Sequence, residues 1–183
     1  MTEPTIQQHA SAPTNLNGGV DPSQASINSP ASLTGSDLVK HLEWIAYSIA
    51  DAINDRDLTW LGDDGPMSPY ISQDFVGEQE RITGSSQTGF VGREEHAKFF
   101  PMVLAWFPNY KIRIFDLSTC VDERKGKAVM FFNGESTGIG DLAMPSTCTV
   151  EFQRHDDGHW KMCRFAGVRG MVDGCELVSP DVD

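Results

Sequence analysis

Between Tyr110 and Val168 the chain carries four long strand-like runs, and they restrict the fold more than any other feature. They are 110-YKIRIFDLSTCV-121, 127-KAVMFFNGES-136, 147-TCTVEFQRH-155 and 159-HWKMCRFAGV-168. The polar pentapeptide 122-DERKG-126 joins the first two and 156-DDG-158 the last two, each a strong reverse-turn signal. Long runs joined this tightly can only fold back on themselves, so the spacing predicts two antiparallel hairpins. In the second run Ala128, Met130, Phe132, Gly134 and Ser136 alternate with Val129, Phe131, Asn133, Glu135 and Thr137, and both sets begin apolar. One face therefore covers a core, while the other meets a partner or a second layer. The polar ending either runs into solvent or lines a cavity.

Two helical patterns precede these strands. In 38-LVKHLEWIAYSIADAINDRDLTWL-61, Leu38, Leu42, Ile45, Ile49 and Ile53 recur three or four residues apart, which predicts one apolar stripe on a long helix. Thr34 with Asp37 reads as its capping box, and its end near Asn54 to Asp57 is acidic. Residues 62–73 read as an irregular connection with a helical turn near Tyr70, 75-FVGEQERI-82 as a first strand, and 83-TGSSQTG-89 as a polar turn. A second helix is expected from Arg93 to Phe107, with His96, Phe100, Val103 and Phe107 on one face and Pro108 as its stop. Helices first and hairpins afterwards is an α+β pattern in which the sheet curls and the helices cover one side. Residues 1–33 are rich in Ser, Thr, Pro, Gln, Asn and Gly and read as a disordered leader, residues 34–170 as one domain, and 171–183 as a tail in which Leu177 and Val178 could dock.

With 26 acidic against 14 basic side chains the net charge is -12, which disfavours nucleic acid and anionic membrane partners. The longest mostly apolar stretch, 99-FFPMVLAWFP-108, is too short to span a bilayer, and the expected compartment is the cytoplasm. Cys120, Cys148, Cys163 and Cys175 form no CxxC pair and read as reduced thiols. The five histidines make no HxH or HExxH pattern, so neither a metal nor a cofactor is expected.

The stretch 89-GFVGREEHAKFFPMVLAWFPNYKIRIFDLSTCVDERKGKAVMFFNGESTGIG-140, followed by 147-TCTVEFQRHDDGHWKMC-163, resembles the SnoaL-like branch of the nuclear transport factor 2-like (NTF2-like) superfamily. Shared features are a helix entered through Gly-Arg-Glu, its exit at Phe-Pro-Asn, two long hairpin strands, and a final hairpin turn carrying Asp-Gly. The resemblance spans roughly residues 37 to 170 and implies an α+β fold in which a cone-shaped, curved antiparallel sheet packs on N-terminal helices and encloses a pocket. Its members include polyketide cyclases, scytalone dehydratase, isomerases of fungal terpenoid pathways, and domains without enzymatic activity.

Carried over residue by residue, the resemblance places Ser136 of 134-GESTG-138 where SnoaL-like cyclases have a pocket histidine, so a hydroxyl that can orient an oxygen replaces a base. Glu151 matches their catalytic aspartate. In an apolar pocket such a carboxyl becomes a proton carrier near neutral pH, but Thr149, Glu151 and Gln153 share parity and equally well form a wet face. Asn54, in 54-NDRDL-58, stands where scytalone dehydratase has a substrate-orienting aspartate.

His96 lies on the apolar stripe of the second helix, as a boundary residue or as a proton shuttle. Trp106, Phe132 and Trp160 serve as core or as pocket walls, Met130 as core or ligand contact, and Glu135 as pocket or solvent carboxylate. Arg164 is read either as a solvated edge or as a group that recognises an acidic or enolate substrate. The expected activity is that of a cofactor-free isomerase, cyclase or dehydratase that moves protons on a small apolar oxygenated metabolite. Its proposed catalytic groups are Glu151, His96 and Ser136. The alternative is a non-catalytic binding or dimerisation module, and a homodimer across the sheet is expected in either case.

Overall fold

A computed structural model of the chain describes residues 32–61, 65–79, 89–141 and 143–169. Two helices, α1 (Gly35–Asn54) and α2 (Arg93–Trp106), lie against one face of a six-stranded sheet. Its strands are β1 (Ile71–Gln79), β2 (Gly89–Gly92), β3 (Lys111–Asp122), β4 (Lys127–Thr137), β5 (Met144–Arg154) and β6 (Trp160–Arg169), in the spatial order β2-β1-β6-β5-β4-β3. The two hairpins form as the turn sequences predict, with Gly126 (φ 62°) in the left-handed conformation its turn requires.

The expected cone-shaped, curved antiparallel sheet is not what forms. The sheet is mixed and open: β1 runs parallel to β6, and β2 and β3 are separate edges instead of closing on one another. A parallel neighbour needs a long crossover connection, and here nearly the whole domain separates the two strands. Turn sequences report only hairpin partners, so this pairing left no local trace. β1 also begins at Ile71, within the stretch expected to be irregular, and β2 is an additional short strand paired antiparallel to it.

α1 buries Leu38, Leu42, Ile45 and Ile53, as its stripe predicts, while Ile49 is half-buried. Thr34 does occupy the N-cap, but its side chain makes no capping bond. The amide of Gly35 instead donates to Glu123 Oε1 at 2.8 Å. At the other end Arg56 adopts φ 65°, a conformation glycine usually supplies after a helix. Its guanidinium donates to the carbonyls of Ile53 (3.2 Å), Tyr110 (2.8 Å) and Pro108 (2.5 Å), which offsets the backbone strain and the acidic helix end. α1 is thereby fastened to both ends of β3. α2 buries His96, Phe99, Val103 and Leu104 over β1.

Cys120, Cys148 and Cys163 are thiols not joined in a disulfide, and among the described residues no helix is long and apolar enough to cross a membrane. The expected leader (apart from Ser32 and Leu33), most of the 83–89 turn, Cys175 and the C-terminal tail lie outside the described residues.

Candidate functional site

The apolar face of the sheet does not close completely against the helices. A cavity of about 120 Å³ remains between α1, α2 and strands β3 to β6, bounded also by Phe75 and Glu78 of β1. Ile45, Ile49 and Ile53 form its helical wall, and Phe99 and Phe100 come from α2. Phe132, Val150, Phe152 and Phe165 rise from the sheet. That assignment settles the strand parity. In β4 the set Ala128, Met130, Phe132 and Ser136 faces inward, and in β5 the set Cys148, Val150 and Phe152 does the same.

His96 is the most constrained polar group in this cavity. Its imidazole is packed among Phe75 (5.3 Å between ring centroids), Phe100 (5.9 Å), Phe165 (6.0 Å) and Phe99 (6.3 Å, stacked). Burial drives its pKa from 6.5 down to about 4, so it is an uncharged imidazole at neutral pH. The space for the ring comes from Gly77: a Cβ there would overlap the imidazole, with Cε1 only 2.7 Å away and Nδ1 closer still. The Nδ1 edge thus faces the backbone of β1, and this nitrogen is buried without a hydrogen bond. An N–H at that position would be an orphan donor, so the proton belongs on Nε2, on the opposite edge of the ring.

Ser136 is 6% exposed, lines the cavity, and its hydroxyl makes no hydrogen bond. Two carboxylates also border the cavity. Glu78 accepts a hydrogen bond from the Gly167 amide at 3.1 Å, and Glu135 pairs with Arg113 at 3.2 Å. Among the described residues, no Lys or Arg lines it.

Of the ten residues singled out from sequence, His96, Ser136, Phe132 and Glu135 meet at this cavity. Glu151 does not. It lies on the opposite face of the sheet, half-exposed, with an oxygen 3.8 Å from Arg164, because the apolar parity of β5 claims the inward positions. Arg164 is exposed on that same outer face, with its guanidinium 4.2 Å from the centroid of Phe90. Asn54 is occupied structurally: its amide donates to the carbonyl of Ile112 and accepts from the Ile112 amide, both at 2.8 Å. Met130 and Trp160 are buried in the core beyond the cavity wall, and half-buried Trp106 does not line it. Sequence reasoning missed Gly77, Glu78, Ser146 and Cys148. Parity could have yielded Ser146 and Cys148, had the inward face been known. Among the described residues, no group of three or more His, Cys, Asp or Glu side chains is placed to hold a metal ion.

No protein-family description matches the chain, and no curated protein does so either. Solved structures do. An NTF2-like protein of unknown function from Pseudomonas putida KT2440 aligns over 74% of this chain and 88% of its own at 14% identity, with a TM-score of 0.55. A protein with a cystatin-like fold from Caulobacter vibrioides aligns over 74% and 91% at 11% identity (TM-score 0.58). The CaMKII hub of S. rosetta aligns over 72% and 95% at 11% identity (TM-score 0.56). At these identities the likeness is one of fold. The shared fold is the one those structures call NTF2-like or cystatin-like.

Proposed function

We propose that the chain binds a small, largely apolar molecule in the cavity between its helices and sheet. The observation that carries this reading is the cavity itself: apolar walls from two helices and five strands around about 120 Å³, with a buried hydroxyl that makes no bond. An engineered apolar cavity of roughly 150 Å³ takes up benzene, so this one has the scale of a single ring. The test is binding of toluene, followed by thermal shift and by chemical-shift changes at cavity side chains. Uptake by the wild type, with loss in Val150→Phe, which fills the space, is expected. No uptake by the wild type refutes the reading.

Proton-transfer catalysis is a second reading, favoured by one observation: His96 is uncharged and therefore basic at neutral pH while bordering the cavity. A base with a pKa about 4 is weak, so such an enzyme would act only on activated C–H or O–H groups. Glu151 has no part in it from the outer face. As partner for that outer face we assign a second copy of the chain. The face alternates aromatic and apolar side chains (Phe90, Phe115, Phe131, Val168) with both signs of charge (Arg113, Arg164, Glu151), which suits self-pairing. Sedimentation as a monomer at micromolar concentration would remove that assignment.

A further inference from the structure

Resting on the cavity-binding reading, we propose that the ligand is an uncharged one-ring molecule carrying an oxygen, such as a phenol or cyclic ketone, whose oxygen is held by Ser136. Three independent features of the cavity lead there.

The first is size. About 120 Å³ accommodates one ring and excludes fused or linked rings unless the helices move.

The second is the hydroxyl of Ser136. A buried O–H without a partner is disfavoured, and a ligand oxygen that reaches it removes that penalty while bringing its own ring against phenylalanine walls. A purely apolar ligand leaves the hydroxyl unsatisfied. Ser136 both donates and accepts, so it serves a carbonyl or a phenolic oxygen equally well.

The third is charge. Glu78 and Glu135 are among the lining residues, no described Lys or Arg is, and the His96 imidazole there is uncharged at neutral pH. A carboxylate or phosphate entering this space would lose its hydration and find no cationic side chain in the described lining to offset that cost, Glu135 being already paired with Arg113. Acids are rejected by the same walls that accept their neutral analogues.

The experiment compares toluene, phenol, benzoate and 4-phenylphenol by calorimetry with wild type, Ser136→Ala and Ser136→Thr. Phenol is expected to bind wild type about three- to tenfold more tightly than toluene, the effect of one net hydrogen bond. Benzoate should bind at least about tenfold more weakly than phenol, and 4-phenylphenol should not bind. Ser136→Ala should abolish the preference for phenol over toluene, while Ser136→Thr, which keeps a hydroxyl, should retain it. Equal binding of phenol and toluene by wild type, a preference that survives Ser136→Ala, or benzoate binding as well as phenol would each overturn the inference while leaving the cavity reading intact. Failure of toluene and phenol alike would overturn both.

Discussion

The neutral state of His96 has a measurable effect on stability. In the unfolded chain this imidazole takes up a proton as pH falls through 6.5, whereas in the folded chain uptake waits until about pH 4. Between those values the unfolded state binds more protons, so folding stability must fall as pH falls. The stability is fully present above pH 6.5 and lost progressively on the way down to about pH 4. A difference from 6.5 to about 4, at about 1.36 kcal/mol per pH unit, amounts to roughly 3 kcal/mol, a large share of a typical domain's total. His41 adds to the slope in the same direction, since burial and the nearby His159 lower its pKa too. The His96 contribution is therefore read from a difference. Urea unfolding of wild type and His96→Leu is measured from pH 7.5 to 4.5. Leucine has a similar volume and no proton to bind, and Glu78, Glu135 and His41 remain in both proteins. Wild type should lose up to about 1.4 kcal/mol per pH unit more than the variant across the middle of this range. Identical slopes would mean that His96 is hydrated or charged in the folded state, and the neutral imidazole assigned to the cavity would be refuted.

Gly77→Ala should destabilise by about 1–3 kcal/mol, because the ring its methyl would strike is held by four phenylalanines and cannot swing aside. In the double variant with His96→Ala most of that cost should vanish, and a strictly additive cycle would show the contact to be absent. Asn54→Ala should cost about 1–3 kcal/mol by chemical denaturation, since two hydrogen bonds to Ile112 are lost and its backbone groups are left unpaired. Glu151→Gln should change stability by no more than about 0.5 kcal/mol and leave toluene and phenol binding unaltered, because the carboxylate is half-exposed on the other face. A loss of ligand binding in that variant would return Glu151 to the site.

The sequence signals that succeeded were local ones. The stripe from Leu38 to Ile53 and the turns at Gly126 and Gly158 each depend on residues a few positions apart, and their elements form where expected. The failures lie where the determining contact is remote. Nothing near Ile71 indicates that it lies beside Met162, and the four residues of β2 are too few to show a period. The site behaved similarly. Parity separated Cys148, Val150 and Phe152 from Thr149, Glu151 and Gln153, but only the helices packed on one face decide which set is inside. Asn54 illustrates a different limit. It ends α1 as the helical pattern predicts, yet the partner its amide finds is the backbone of β3, a choice that depends on where the helix docks.

Why the cavity persists is itself a question of packing. An apolar void of about 120 Å³ costs roughly 3 kcal/mol by the measured dependence on cavity volume, so the helices would be expected to settle onto the sheet unless something holds them away. α1 is held at both ends. Gly35 is bound to Glu123 beside the β3–β4 turn, and Asn54, Arg56 and Lys111 join its last turn to the beginning of β3. A helix fixed at two points along one edge strand cannot slide inward to fill space beneath its middle, where Ile45, Ile49 and Ile53 face the opening. On the opposite side His96 cannot move toward β1 because Gly77 already touches its ring, and Phe99 and Phe100 pack against that ring. The polar fastenings at the periphery and the glycine contact within therefore keep open a volume that apolar packing alone would close. A small ligand filling that volume recovers dispersion contacts without any of these restraints having to break.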